Sequence, residues 1–496
     1  MHYFSSVVSL LFLCCFSVVF LPMDLSPEQF RSASHRLSDW IATYLRDVAE
    51  YDVLPSVKPG AIRAQLPAAP PAAAESLDAI LADIDRVILP GATHWNHPGF
   101  LAYFANTASV PGILGEMLAA ALNLNGMLWR TSPVATELEQ VVTDWLRQLF
   151  GMGDGWFGMI TDTASVSTMY ALAAARERDP ALGIRQRGMA GRADLPRLRV
   201  YCSEHAHSSV DKAAMTLGFG LENVVRVACD ADFRMRPDML ARAIQADRAQ
   251  GFRPVAVVAT AGTTSMTSVD PIDGIAAICQ RESVWLHVDG AYGGSAMSVL
   301  ELRPLFAGLE RADSLVVNPH KWLFTPMDCS VLFTRQPQIL RRAFSLVPEY
   351  LTTSEGDAAL NYMDYGLQLG RRFRALKLWM VIRAFGADGI AERIRYHCQL
   401  ARRFADTVKA AGNGWEVCAP VPFSTVCFRH VPAGETDEDD IAAHNAAIMA
   451  RVNESGDIFI SHTKLGDKYV LRVAIGNLRT NERTLDRAWE LLVAAS

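Results

Sequence analysis

VVNPHKW, Val316 to Trp322, sets two apolar β-branched residues ahead of an Asn-Pro turn and then delivers Lys321, with His320 before it and Trp322 after it. The run Ser314 to Val317 reads as a buried strand, so Lys321 falls just past a strand end. Burial there disfavours an ammonium and leaves an amine nucleophilic enough to condense with a carbonyl. One strand upstream, Val284 to Val288 ends in the same way, with Asp289 in HVDGAYGG. Alone, such a lysine reads as a solvated turn residue and such an aspartate as a helix cap. At successive strand ends they form an acid and an amine facing one crevice.

Outward from that pair, short β-rich runs alternate with helical ones between about Met159 and Thr334. Strands are predicted over Leu198–Ser203, Val224–Cys229, Val255–Thr260, Val284–Val288, Ser314–Val317 and Ser330–Thr334, after an apolar run Phe157–Thr161. Helices are expected near Ser208–Leu217, Pro237–Ala249, Ile272–Arg281 and Leu302–Phe306. Strands without polar alternation, spaced by helices, argue an α/β fold with a mostly parallel sheet covered on both faces. Further helices are predicted over Ser26–Tyr51, an amphipathic stretch expected to pack into the core, and over Leu77–Ile88, Gly112–Leu122 and Thr136–Phe150, with a long one from near Leu369. Strands Thr425–Phe428 and Tyr469–Val473 belong to a smaller α+β lobe. The expected division is an apolar extension over 1–22, a helical and strap-like segment over 23–110, a large domain over 111–387 and a small domain over 388–496.

The chain of 496 residues is half hydrophobic, with a net charge of -6 spread without a basic stripe, which argues against a nucleic-acid partner. The acidic run Glu435–Asp440 reads as a solvated loop. Nine cysteines lie scattered without metal-ligand spacing, as suits a reducing compartment. Residues 1–22 are apolar but lack a preceding positive charge and a small-residue cleavage site. Met23 then reads as a natural start, so the expectation is a cytoplasmic protein, with a membrane-anchored form as the lesser reading.

Four further stretches point at the same crevice. Thr163-Ala164-Ser165 opens a helix after a strand, and free N–H groups with hydroxyls make an anion site there. His207, just past another strand, can stack on a planar ring. Thr263-Thr264 and Asn318 add polar groups at the same sheet edge. Gly91–Gly112 is irregular yet carries Trp95, Phe100, Tyr103 and Phe104, which suggests a lined pocket. An anion site, a stacking imidazole, a carboxylate for a ring nitrogen and a lysine for an aldehyde are together what pyridoxal 5'-phosphate requires.

These segments, HVDGAYGG, NPHKW, AHSSVDKA, ATAGTT, TASVS, THWNHPGF and LGRRFRALKLW, resemble the group II pyridoxal-phosphate decarboxylases, most closely the aromatic-L-amino-acid decarboxylases. The likeness runs from about Leu25 to the C-terminus. It implies the type I fold of pyridoxal-phosphate enzymes, a homodimer with its active site at the subunit interface, and release of an amine and carbon dioxide from an aromatic amino acid. It further implies that Lys321 binds the cofactor aldehyde, Asp289 pairs with the ring nitrogen and His207 stacks on the ring. Ala164, Ser165, Thr264 and Asn318, with His320 beside the lysine, would surround the phosphate. Tyr350, in VPEYLTTSEGD, takes the place of a catalytic loop tyrosine. Substrate contacts would come from Trp95, Tyr103, Asn106, Met127 and Gly370, the last matching a glycine of indole-accepting members. Asn125 and Met127 stand where animal members use apolar residues reaching across the dimer, and Asn106 where they use a threonine or serine, so a more polar pocket is expected. Rival readings are an aldehyde synthase of the same fold, a decarboxylase of histidine or an acidic amino acid, and a catalytically silent binding protein; retention of Lys321, Asp289 and Tyr350 argues against the last.

Overall fold

The central sheet has seven strands: β1 (Phe157–Thr161), β2 (Leu198–Ser203), β3 (Val224–Val227), β4 (Arg253–Thr260), β5 (Trp285–Asp289), β6 (Ser314–Val317) and β7 (Ser330–Thr334). Their order is β1-β7-β6-β5-β4-β2-β3, and β7 alone runs against both its neighbours. The computed structural model describes residues 24–346 and 359–496. They fall into two units, one of residues 24–47 with 60–89 and the other of residues 48–59 with 90–496.

Alternate residues of each strand serve opposite faces, and both faces are dry. Tyr201, Val257, Leu286, Val288, Leu315 and Val317 join one core, while Val200, Cys202, Ala256, Val258 and Trp285 join the other. This is why the strands read as continuous apolar runs. On the first face pack helices Pro237–Ala249 and Ile272–Glu282, and on the second Ala164–Arg176 and Ser209–Thr216. In the register, Thr260 of β4 lies opposite Asp289 of β5, and Asp289 lies opposite Val316 of β6. Three parallel strands therefore end level, and the turns beyond them share one edge.

The C-terminal lobe holds an antiparallel sheet of β8 (Trp415–Val417), β9 (Thr425–His430), β10 (Ser461–Leu465) and β11 (Lys468–Ala474), in the order β10-β11-β9-β8. Helices Glu438–Asn453 and Glu482–Ala495 and the later turns of Arg374–Ala411 cover it. Among the described residues no helix is long and apolar enough to cross a membrane.

Four expectations are corrected. The acidic run is a loop only over Glu435–Asp437: Asp437 caps a helix through the N–H groups of Asp439 and Asp440, and Glu438–Asp440 form its first turn, where carboxylates meet the positive end of the helix dipole. The first helix ends at Asp47, and none of its residues is buried, so it does not supply the core packing expected of it. The helix at Leu77 is α-helical only to Asp83 before a π-helical turn, Ile84–Ile88. The long helix begins at Arg374 rather than Leu369, because the preceding residues are held by distant partners. Asn125 accepts the Arg371 N–H, and the Arg371 guanidinium reaches Glu139 at 2.6 Å and the Ile160 carbonyl at 2.7 Å.

Glu139 and Arg371 are both buried, and Glu139 also accepts the Ile160 N–H, so the pair joins β1, the helix Pro133–Leu149 and the entry to the long helix. Glu139→Gln would leave the guanidinium uncompensated in the core, at a cost of about 3–5 kcal/mol. Urea denaturation is expected to show that loss, and an unchanged midpoint would mean that the pair does not hold the segment.

Candidate active site

The level ends of β4, β5 and β6 open onto a cavity of about 210 Å³ lined by Thr163, Ala164, Ser165, His207, Thr264, Asp289, Asn318, His320 and Lys321, with Phe104, Thr260 and Tyr292 among its walls. Every cofactor residue expected from the sequence is thus brought together by one sheet edge. A second cavity of about 310 Å³ shares Phe104, His207, Thr264, His320 and Lys321, and continues to Tyr103, Asn106 and Met327 and to Ser461, His462 and Thr463 of β10. A larger hollow, about 720 Å³ between Arg176, Arg185, Met189 and Phe344, has no lysine, histidine or carboxylate among the described residues of its wall.

Lys321 follows the turn at Asn318, whose carbonyl accepts the Lys321 N–H. Its amine faces the cavity, 5.2 Å from the centre of the Phe104 ring. Desolvation lowers its pKa, Asp289 opposes that shift, and Arg472 reinforces it. Asp289 is buried, and its Oδ1 accepts the N–H of Ala291 at 3.0 Å. His207 stands at the lip of the cavity with Nδ1 accepting the Ser209 N–H at 3.1 Å, which places the proton of the neutral ring on Nε2. Desolvation lowers its pKa against the pull of Asp289. His320 is buried, accepts the Cys329 N–H through Nδ1, and is pushed down by desolvation to about 3, so it stays neutral.

At the start of the helix Ala164–Arg176, Asp162 accepts both the N–H and the hydroxyl of Thr163. The helix-start N–H groups of Ala164 and Ser165 follow at the cavity wall. Thr263 is engaged by Met266 and by the Ser268 N–H, which leaves Thr264 as the hydroxyl at the opening. Two buried oxygens in the wall, Asn318 Oδ1 and Thr260 Oγ1, have no partner among the described residues.

Sequence reasoning missed Arg472. It lies on β11, buried between apolar neighbours, and donates to the carbonyls of Ser265 at 2.8 Å and Tyr103 at 2.6 Å. Its Cζ sits 4.7 Å from the centre of the Phe104 ring, and its Nη2 is buried without a partner. The available signal was one arginine within the apolar run YVLRVAI. Of the expected substrate residues, Tyr103 and Asn106 reach the second cavity, whereas within the single chain Trp95, Met127 and Gly370 line neither. Trp95 stacks on Phe100 and Tyr103, Met127 packs beside Leu128 and Met363, and a Cβ at Gly370 would meet Asn125 at 3.8 Å. Tyr350 lies outside the described residues.

Residues 59–431 match the pyridoxal-dependent decarboxylase conserved domain. The chain is 40% identical over 485 residues to tyrosine decarboxylase 4 of Petroselinum crispum, covering 95% of this chain and 94% of that protein. It is 39% identical over 484 residues to a phenylacetaldehyde synthase of Arabidopsis thaliana, covering 96% of each. The crystal structure of Oryza sativa TDC with PLP and tryptamine superposes with a TM-score of 0.91 at 36% identity, covering 96% of this chain and 99% of that one.

Behind the lysine runs a ladder of rings: Phe104 on Tyr292 at 3.8 Å, Tyr292 on Trp322 at 4.6 Å, and Trp322 beside His397, to which it donates through Nε1 at 2.9 Å. His397 is fully enclosed and held down to about 4 by desolvation, so it accepts as a neutral ring. Trp322→Phe keeps the stack but orphans that nitrogen, at a cost of about 1–3 kcal/mol. The expected result is a lower unfolding midpoint with the fold retained, and an unchanged midpoint would show that the hydrogen bond contributes nothing to stability.

Proposed function

This chain belongs to the pyridoxal-dependent decarboxylase family, and on that premise we propose that it converts an aromatic L-amino acid to the corresponding amine and carbon dioxide. The observation that carries the reading is one crevice in which a desolvated lysine, a carboxylate and a neutral imidazole face a buried arginine with one uncommitted donor.

The residues fit pyridoxal 5'-phosphate. Two unpartnered buried oxygens, a helix N-terminus suited to an anion, and a carboxylate and an amine at neighbouring strand ends are the polar groups this cofactor would engage. Lys321 would hold its aldehyde, Asp289 its ring nitrogen, His207 its ring face, and Ala164, Ser165, Thr264, Asn318 and His320 its phosphate and surroundings. When bound, the cofactor supplies an electron sink for the pair left at Cα as carbon dioxide departs.

The chain's own groups do the rest. The lowered pKa of Lys321 supplies a free amine at neutral pH more readily than a solvated lysine would. Asp289, dry and fixed by the Ala291 N–H, favours positive charge on whatever it pairs with. Arg472 Nη2 is assigned the substrate carboxylate. Its Nε and Nη1 donate to Ser265 and Tyr103, so it orients that group through Nη2. Tyr103, Phe104 and Met327 give that wall its apolar surface, while Asn106 and His462 make it partly polar. Tyr350 is the proposed donor of the proton to Cα.

A second reading is supported by the 39% identity to a phenylacetaldehyde synthase. In that case the amino acid, dioxygen and water give aldehyde, carbon dioxide, ammonia and hydrogen peroxide. Cofactor-loaded enzyme should be given a panel of aromatic, imidazole and acidic amino acids, with amine, aldehyde and peroxide measured together. Amine equal to carbon dioxide from an aromatic substrate is expected. Peroxide with aldehyde would establish the second reading, and turnover of histidine or glutamate alone would overturn both. In the same assay Arg472→Met is expected to raise KM about 10- to 100-fold, the loss of one charged hydrogen bond, with the cofactor spectrum unchanged.

The proposed assembly is a homodimer in the cytoplasm. Helix Val110–Leu122 leaves Val110, Leu114, Met117, Leu118 and Leu122 exposed along one stripe, and Val134, Val141 and Trp145 are exposed on helix Pro133–Leu149. Such a surface suits a second copy, and free cysteines suit a reducing compartment. Sedimentation is expected at twice the chain mass, and Leu114→Glu with Leu118→Glu should give monomers. A fully active wild-type monomer would refute the dimer.

A further inference from the structure

We propose that Glu204, His205 and Cys229 form a zinc site at the outer end of the same sheet edge, where the ion would hold the loop that carries His207. None of the three lines either active-site cavity.

The topology makes the cluster. β2 and β3 are parallel neighbours in register, Ser203 opposite Val227, so the chain leaves both strands at one edge. Glu204 and His205 come directly after β2, and the Glu204 N–H bonds to the Val227 carbonyl, while Cys229 stands two residues past the end of β3. One ligand atom from each of the three side chains, a carboxylate oxygen, an imidazole nitrogen and a thiol sulfur, lies within 4.8 Å of the other two. Tetrahedral zinc with bonds of about 2.0–2.3 Å sets its ligands about 3.5 Å apart. The half-buried histidine and cysteine and the exposed glutamate need to close by about 1 Å.

Nothing else in the described protein uses these atoms well. No hydrogen bond reaches the Glu204 carboxylate or the His205 ring nitrogens, and the Cys229 thiol has only a 4.0 Å contact with the Val227 carbonyl and the Glu204 N–H. The charged groups acting on the thiol are Asp270, Glu204 and Asp230, all acidic, and Phe233 sets its ring edge against His205 at 5.5 Å. Those carboxylates set a negative field that favours a dication at the cluster. A nitrogen, sulfur and oxygen set selects zinc over magnesium or calcium, with water in the fourth position. Zinc takes the thiolate, so binding releases the Cys229 proton to solvent. The loop from Glu204 is then tied at both strand ends, two residues from His207.

The test uses untagged, cofactor-loaded enzyme, stripped with chelator, dialysed and titrated with zinc chloride by calorimetry in two buffers of different ionisation heat. One zinc per chain, with proton release and a raised unfolding midpoint, is expected. Cys229→Ser and His205→Gln should abolish binding while keeping the wild-type cofactor spectrum, and Glu204→Gln should weaken it. His444→Gln, which alters the separate His430–His444 contact at 2.8 Å, should leave it intact. Wild type that binds no zinc, or binding that survives Cys229→Ser and His205→Gln, overturns the site.

Discussion

The constraint on which the structure depends is the level ending of β4, β5 and β6. Because Thr260, Asp289 and Val316 lie side by side, the turns after them must share one edge, and a carboxylate and a lysine from distant parts of the chain become neighbours. The sheet cannot slip by one residue without turning its buried set to the wrong face. The two dry cores therefore fix the spacing between Asp289 and Lys321 as firmly as any contact within the crevice. Their electrostatics follow from that placement: desolvation and Arg472 push Lys321 toward the free amine, and Asp289 limits the shift.

A second layer of order comes from the C-terminal lobe. The irregular stretch around Trp95 to Phe104 forms neither helix nor ladder alone, and its backbone is satisfied from far away. Asn477 donates to the Trp95 and His97 carbonyls, Thr480 to the Pro98 carbonyl, the Leu101 N–H to the Phe459 carbonyl, the Phe459 N–H to the Gly99 carbonyl, and the Ala474 N–H of β11 to the Leu101 carbonyl. Arg472 completes the join by donating to Tyr103. Phe104 consequently meets the Lys321 amine and the buried Arg472 guanidinium near its ring, with Tyr292 stacked beside it. An aromatic face lowers the cost of keeping the guanidinium charge out of water.

What was legible in the sequence separates along this line. β2, β6 and β7 begin and end where their apolar runs do, because a strand buried on both faces leaves a continuous signal. The residues around Lys321 and Asp289 were legible because each sits at the end of such a run. Illegible were features decided by partners far along the chain. The helix expected from Leu369 waits until Arg374 because Arg371 is committed to Glu139, more than two hundred residues earlier. The acidic run Glu435–Asp440 looked like a solvated loop because its charge outweighed the Asp437 cap in the reading. Arg472 carried almost no local signal, since its importance lies in the unsatisfied nitrogen it brings to the crevice.

The relatives with amine and aldehyde products share a fold with this chain, and the crevice explains why such outcomes lie close together. In the proposed reading Lys321, Asp289 and Arg472 serve the loss of carbon dioxide, which both reactions require. The choice comes afterwards, between a proton and dioxygen at Cα. Among the described residues few groups can give that proton: His320 is a neutral ring with Nδ1 accepting from Cys329, and Tyr292 is engaged with Ser424. His207 keeps one N–H, at the lip of the cavity rather than deep within it. In the proposed reading that step falls to Tyr350, and the binding groups of the crevice serve both outcomes alike.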